Sequence, residues 1–190
     1  GESSDFALMG RVYQGAMGGR VTVDRARYAR TAGNLQGKLD VFATAFPTAH
    51  PRLPGTPVTG AVTPLLGFYP AACVAGAGGA LSAPAGITAV QMFSSGSRYY
   101  GQTVGDIPTA VCVQDYTARD PNGQNVASFT QARVVDQITI TQAVFDPTNG
   151  GSLAITAKSS DQNLLPALTA SIGGVLTNNA AGTAGTIAPH

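Results

Sequence analysis

Proton-exchange chemistry near neutral pH most often uses histidine, and this chain has two, His50 and His190. His50 lies in the Pro-flanked run Phe46-Pro47-Thr48-Ala49-His50-Pro51, and His190 is the last residue. Neither comes with a nucleophile elbow, so a Ser/His/Asp arrangement has no positioned base. Carboxylate pairs such as Asp106 with Asp115 or Asp120 with Asp136 are no more than ten acidic residues would offer by chance. No calcium-loop spacing occurs. Gly76-Ala77-Gly78-Gly79 lacks the Lys and the strand-to-helix setting of a phosphate cradle. The expectation is a protein that is not an enzyme, with no catalytic residue, cofactor or metal.

Recognition chemistry is better represented. Within Met92–Gln102, Arg98, Tyr99, Tyr100 and Gln102 place two aromatic rings beside a cation and an amide. That combination suits stacking on sugars or anchoring a protein interface. Simple strand alternation offers a second reading, with one tyrosine in the core and the other on the surface. Cys73 and Cys112 have no CxxC partner and no nearby His, which argues against zinc. Cys112 lies in the strand-like Val111-Cys112-Val113, and Cys73 follows the end of another strand. A disulfide between them is expected; two separate buried thiols are the alternative.

Charged residues make up 11% of the 190-residue chain, against roughly 25% for an ordinary soluble domain. Lys occurs only at Lys38 and Lys158, and the formal charge is +1. Phosphate neutralisation needs a clustered basic face, so no nucleic-acid partner is expected. Arg25, Arg27 and Arg30 are the one local concentration. Alternation puts Arg25 and Arg27 on one strand face, as an edge-protecting or anion-binding patch. No apolar run reaches the length of a membrane-spanning helix, and Gly1-Glu2-Ser3-Ser4-Asp5 does not read as an export signal. Export would therefore require a signal already removed.

Gly or Pro interrupts nearly every window long enough for a helix. Alternation instead predicts strands at Arg20–Arg27, Leu39–Ala45, Thr109–Tyr116, Gln137–Phe145 and Ser152–Lys158. The turns Asp120-Pro121-Asn122-Gly123 and Asp146–Gly151 separate them. Two of these strand pairs repeat. Val21-Thr22-Val23-Asp24-Arg25-Ala26-Arg27-Tyr28 matches Ile138-Thr139-Ile140-Thr141-Gln142-Ala143-Val144-Phe145 at an offset of 117 residues. Leu39-Asp40-Val41-Phe42-Ala43 matches Leu153-Ala154-Ile155-Thr156-Ala157 at an offset of 114. A length difference confined to the turn is what a duplicated hairpin tolerates, and Pro51-Arg52-Leu53 extends the match to Pro166-Ala167-Leu168. The Gly/Ala-rich 75–86 reads as a surface loop or linker, and 178–190 as a tail or an arm ordered by a neighbouring subunit.

Asp136-x-Ile138-Thr139-Ile140-x-x-Ala143-x-Phe145, followed by Leu153-x-Ile155-x-Ala157-x-Ser159-Ser160-Asp161, resembles immunoglobulin-like modules of secreted or surface proteins of Gram-negative bacteria. It is also similar to β-sandwich domains appended to some secreted oxidases. The resemblance implies an all-β, immunoglobulin-like β-sandwich with an internally repeated hairpin, secreted or on the cell surface. Residues 1–190 would form one unit; two small β domains, 1–74 and 88–190, are the alternative. The expected function is a noncatalytic structural protein that assembles with itself as a filament or surface-layer subunit. A carbohydrate-binding or adhesive module, contacting glycans or another surface protein, is the second expectation, and a virion surface or decoration protein the third. Insertion into a membrane is not expected.

Overall fold

β-Branched and aromatic residues alternating with polar ones, in segments cut short by Gly, Pro and Asn, favour extended backbone. A computed structural model describes residues 21–46, 63–119, 124–148 and 151–169, with backbone alone at 170, 174–175, 177–179 and 182–187. The strands are β1 (Val21–Ala29), β2 (Gly37–Ala45), β3 (Leu66–Tyr69), β4 (Val74–Ala75), β5 (Leu81–Ser82), β6 (Val90–Gln91), β7 (Phe93–Ser95) and β8 (Arg98–Gly105). They continue as β9 (Ala110–Asp115), β10 (Ser128–Asp136), β11 (Ile138–Asp146), β12 (Ser152–Ser159), β13 (Thr169–Ala170), β14 (Gly174–Val175), β15 (Thr177–Asn179) and β16 (Gly182–Ile187). The fold is all-β, and no α-helix occurs among the described residues. His50, His190, the Asp120–Gly123 turn and the first five residues lie outside the described residues.

Eight strands form one mixed sheet in the order β6-β3-β9-β10-β1-β2-β8-β7, in which β1 and β10 are the parallel pair. The sheet nearly closes on itself. Val90 and Gln91 pair with β3, the Met92 N–H donates to the Leu66 carbonyl at 3.0 Å, and Phe93–Ser95 then pair with β8. One short segment thereby reaches both ends of the sheet. Inside lie Ala26, Leu39, Val41, Ala43, Ala45, Leu66, Phe68, Met92, Tyr99, Val111 and Val113. Gly101 is needed at one close approach, since a Cβ there would sit 2.8 Å from the Phe68 ring. Cys73 and Cys112 are joined, with sulfurs 2.04 Å apart, tying β9 to the segment after β3. Strands on both sides of residues 75–86 share the eight-stranded sheet, and that stretch itself folds back as the β4–β5 ladder.

The remaining large sheet has the order β11-β12-β16-β15. Part of the segment expected as a tail or arm is β16, which pairs antiparallel with β12 of its own chain. The duplicated hairpin is present in detail. In β1 the register shifts between Val23 and Arg25, and in β11 between Ile140 and Gln142, so Asp24 and Thr141 are matching bulge residues. The match extends to a third strand. Val41 faces Gly101 across β2–β8, and its counterpart Ile155 faces Gly185 across β12–β16. The two hairpins differ in burial. Val41 is fully buried, whereas Ile138, Ile140 and Phe145 are 43, 64 and 66% exposed.

A polar junction fixes the second hairpin to the first. Gln137 alone separates β10 from β11, and its N–H donates to Ser160 Oγ at 2.8 Å. That hydroxyl donates to the Tyr28 carbonyl at 2.5 Å. The Arg30 N–H donates to the Ser160 carbonyl at 3.0 Å, and the Gln162 N–H to the Arg30 carbonyl at 2.9 Å. Asp161, 2% exposed, accepts from Arg30 and from the Tyr28 hydroxyl. Ser159 Oγ donates to Asp136 Oδ2 at 2.7 Å.

Candidate recognition face

Residues opposite one another in a sheet share a face, so register assigns the outer surface of β1, β2, β8 and β7. Arg25 stands opposite Phe42, Phe42 opposite Tyr100, and Tyr100 opposite Phe93. One row across four strands therefore runs cation, aromatic, aromatic, aromatic. The neighbouring row is Arg27, Asp40 and Gln102. On the other side Thr44 faces Arg98, which faces Ser95. Alternation in β2 explains the row. Leu39, Val41 and Ala43 turn inward, which forces Phe42 outward although its ring is apolar.

The outward ring of Phe42 is covered by charge. The Arg25 and Arg27 guanidiniums lie 5.1 and 5.4 Å from its centroid, within the range where the ring quadrupole attracts a cation. Phe42 and Tyr100 are 5.2 Å apart and tilted by 40°. The Tyr100 hydroxyl lies 2.9 Å from Asp40 Oδ1 and 2.6 Å from Gln102 Oε1. Burial first, then the bond to Asp40 and the charge behind it, raise the Tyr100 pKa above the usual phenol value. Asp40 also meets Arg27 Nε and Lys38 Nζ, each at 3.4 Å. Across the bulge, Thr44 Oγ1 donates to Asp24 Oδ2 at 2.7 Å. A shallow groove of about 320 Å³ runs between these groups, bordered by Asp24, Arg25, Phe42, Ala43, Arg98 and Tyr99.

Of the residues singled out from sequence, Arg98, Tyr100 and Gln102 lie on this face. Tyr99 does not share their exposure. It is 3% exposed and sits in the core, its hydroxyl donating to the Pro64 carbonyl at 2.8 Å, because successive strand side chains alternate. Sequence reading missed Phe42, and it held Phe93 within the Met92–Gln102 segment without singling it out. Alternation within β2 could have turned Phe42 outward, but nothing local says that β2 and β7 flank β8.

The other acidic candidates are separated by their surroundings. Asp115 is buried and accepts from the Thr117 N–H and hydroxyl at 2.8 and 2.6 Å, while Asp106 is an exposed loop residue. Asp136 is engaged with Ser159, and Asp120 lies outside the described residues. Among the described residues no group of three or more His, Cys, Asp or Glu could hold a metal, and no helix is long and apolar enough to cross a membrane. On the opposite wall, the Tyr69 hydroxyl donates to Gln114 Oε1 at 2.8 Å and lies 3.5 Å from the Tyr116 hydroxyl. Burial, then the hydrogen bond with Tyr69, push Tyr116 up to about 12. No family model, no curated protein and no solved structure matches this chain.

Proposed function

We propose that this chain is a noncatalytic extracellular structural module of the immunoglobulin-like kind that associates with copies of itself. The observation carrying the self-association is the contrast between its two hairpins. In the first, the face bearing Val21, Val23, Ala26, Leu39, Val41 and Ala43 packs against β3, β9 and β10. In the second, the same positions carry Ile138, Ile140, Ala143, Leu153, Ile155 and Ala157, and both isoleucines of β11 are exposed. Among the described residues β11 is also an end strand of its sheet. Exposed apolar residues at Ile138, Ile140 and Ala143, on a strand edge with no partner among the described residues, favour association. A second copy can offer the same face, giving a self-complementary, two-fold contact of sheet on sheet.

The sandwich assignment is supported by strand order. Read as two halves, β7-β8-β2-β1 and β10-β9-β3-β6 follow the immunoglobulin arrangements D-E-B-A and G-F-C-C′. The Cys73–Cys112 bridge suits an oxidising compartment outside the cytosol. Size-exclusion chromatography with light scattering tests the reading. The mass should rise above the 19.2 kDa of one chain as concentration increases, and Ile140→Asp should abolish the rise. A wild-type protein of single-chain mass at every concentration would overturn it.

A further inference from the structure

The outer face of β1, β2, β8 and β7 belongs to a different sheet from the β11–β12 face invoked for self-association, and its chemistry points elsewhere. We propose that it binds an acidic polysaccharide, with Arg25 and Arg98 receiving carboxylates and Tyr100 and Phe93 stacking against sugar rings.

Charge carries the first part. Six ionised groups occupy the face: Arg25, Arg27, Lys38 and Arg98 against Asp24 and Asp40. Arg27 and Lys38 are both committed to Asp40. Neither Arg25 nor Arg98 makes an ion pair with a described residue, and both border the same groove. Arg25 is held on the Phe42 ring, and a stacked guanidinium keeps its N–H edge free for a planar anion. Asp24 lines the groove too, but Thr44 donates to it. It therefore offers an acceptor for a sugar hydroxyl and disfavours anions placed too deep.

Shape and aromatic exposure carry the second part. Phe93 is 70% exposed and Tyr100 36% exposed, and they are cross-strand neighbours in the row that begins at Arg25. Four strands about 4.8 Å apart make that row about 14 Å long, the footprint of a short oligosaccharide rather than of a single sugar. Gln102, exposed beside Tyr100 and accepting from its hydroxyl, keeps its amide N–H groups for a sugar hydroxyl. An acidic peptide would need only the cations, whereas the exposed rings beside them add stacking against sugar faces.

Affinity electrophoresis at low salt, with polygalacturonate, its methyl ester or poly-L-glutamate cast in the gel, tests the assignment. Polygalacturonate should retard the protein, and the ester and the polypeptide should do so at least tenfold less strongly. Arg98→Gln should weaken polygalacturonate binding about tenfold and Phe93→Ala about fivefold. Lys158→Gln, an exposed cation on the other sheet, should leave it unchanged. Any of four results would overturn the proposal: no retardation by polygalacturonate, equal retardation by its ester, equal retardation by polyglutamate, or full binding by Phe93→Ala. Both test positions are exposed, and matching thermal melts establish that each variant remains folded.

Discussion

Arg30 and Asp161, 131 residues apart in sequence, meet through paired contacts, Nε to Oδ1 at 3.1 Å and Nη2 to Oδ2 at 2.5 Å. The carboxylate also takes the Tyr28 hydroxyl and the N–H groups of Asn163 and Leu164. Burial by itself would raise the Asp161 pKa, but Arg30, the Leu164 N–H and Tyr28 outweigh it and hold it at about 2. A pKa lowered by folding contributes stability above the unfolded value that is lost as pH falls through the folded one. Thermal melts should therefore decline between about pH 4 and pH 2. Asp161→Asn should remove much of that decline and cost ~3 kcal/mol at neutral pH. A variant with wild-type acid sensitivity would show that other carboxylates set the transition.

The Cys73–Cys112 bridge spans a sequence separation of 39 residues, and closing such a loop in the unfolded chain corresponds to about 4 kcal/mol in the chain-entropy model. Cys112 is fully buried in β9, where a serine would also bring an uncompensated hydroxyl. Cys73→Ala, at the more exposed end, is the cleaner probe. Urea unfolding of Cys73→Ala should show a midpoint lowered to match that loss, and reduction of wild-type protein should reproduce most of the shift.

How far sequence could be read depended on whether a strand's signal was its own. β1, β2, β11 and β12 carry enough alternation, and β9 a short enough apolar run at Ala110–Val113, to be recognisable in isolation, as is the repeat down to its displaced turn. β10 is not. Ala132 and Val134 pack against the core, but Phe129 and Val135 stand on the other face, so apolar residues fall on both sides of the strand and erase its period. Closure of the sheet at Met92 and the Arg25–Phe42–Tyr100–Phe93 row arise from pairing between distant segments. No local pattern encodes which strands become neighbours.

Gly101 is a position where backbone and core meet. A Cβ there would approach Phe68 Cε1 to 2.8 Å and Met92 Cγ to 3.1 Å, and Phe68 is fully buried. Gly101→Ala should destabilise by about 1 to 3 kcal/mol, the usual range for overpacking. Gly105, four residues along the same strand, has open space where its Cβ would be. Gly105→Ala should leave the urea midpoint nearly unchanged, and equal effects of the two substitutions would refute the packing explanation.

Tyr116 offers a spectroscopic check on the opposite wall. A phenol pushed up to about 12 keeps its proton in the folded state after an unfolded one, near 10, has lost it. Its contribution to stability is therefore complete below about pH 10 and declines as pH rises toward 12. Ultraviolet titration should show one tyrosine ionising well after the most exposed ones. Tyr69→Phe should bring that late step to lower pH, because the hydroxyl contact at 3.5 Å is lost.

The repeat makes Val41 and Ile155 equivalent, and substituting each isolates what the surroundings contribute. Val41 has no exposed surface and lies in the main core, so Val41→Ala should cost ~2 kcal/mol from lost transfer energy and the cavity left behind. Ile155 lies at the same register place in its hairpin, opposite Gly185 as Val41 is opposite Gly101, but it is only half-buried. Ile155→Ala should cost less than about 1 kcal/mol in dilute protein, despite removing more carbon, because a partly hydrated side chain contributes in proportion to the apolar area it hides. The same substitution should weaken concentration-dependent association, whereas Val41→Ala should not once folding is allowed for. Equal stability losses in dilute solution would mean that the second hairpin already has its cover within one chain, leaving no apolar face for a second copy.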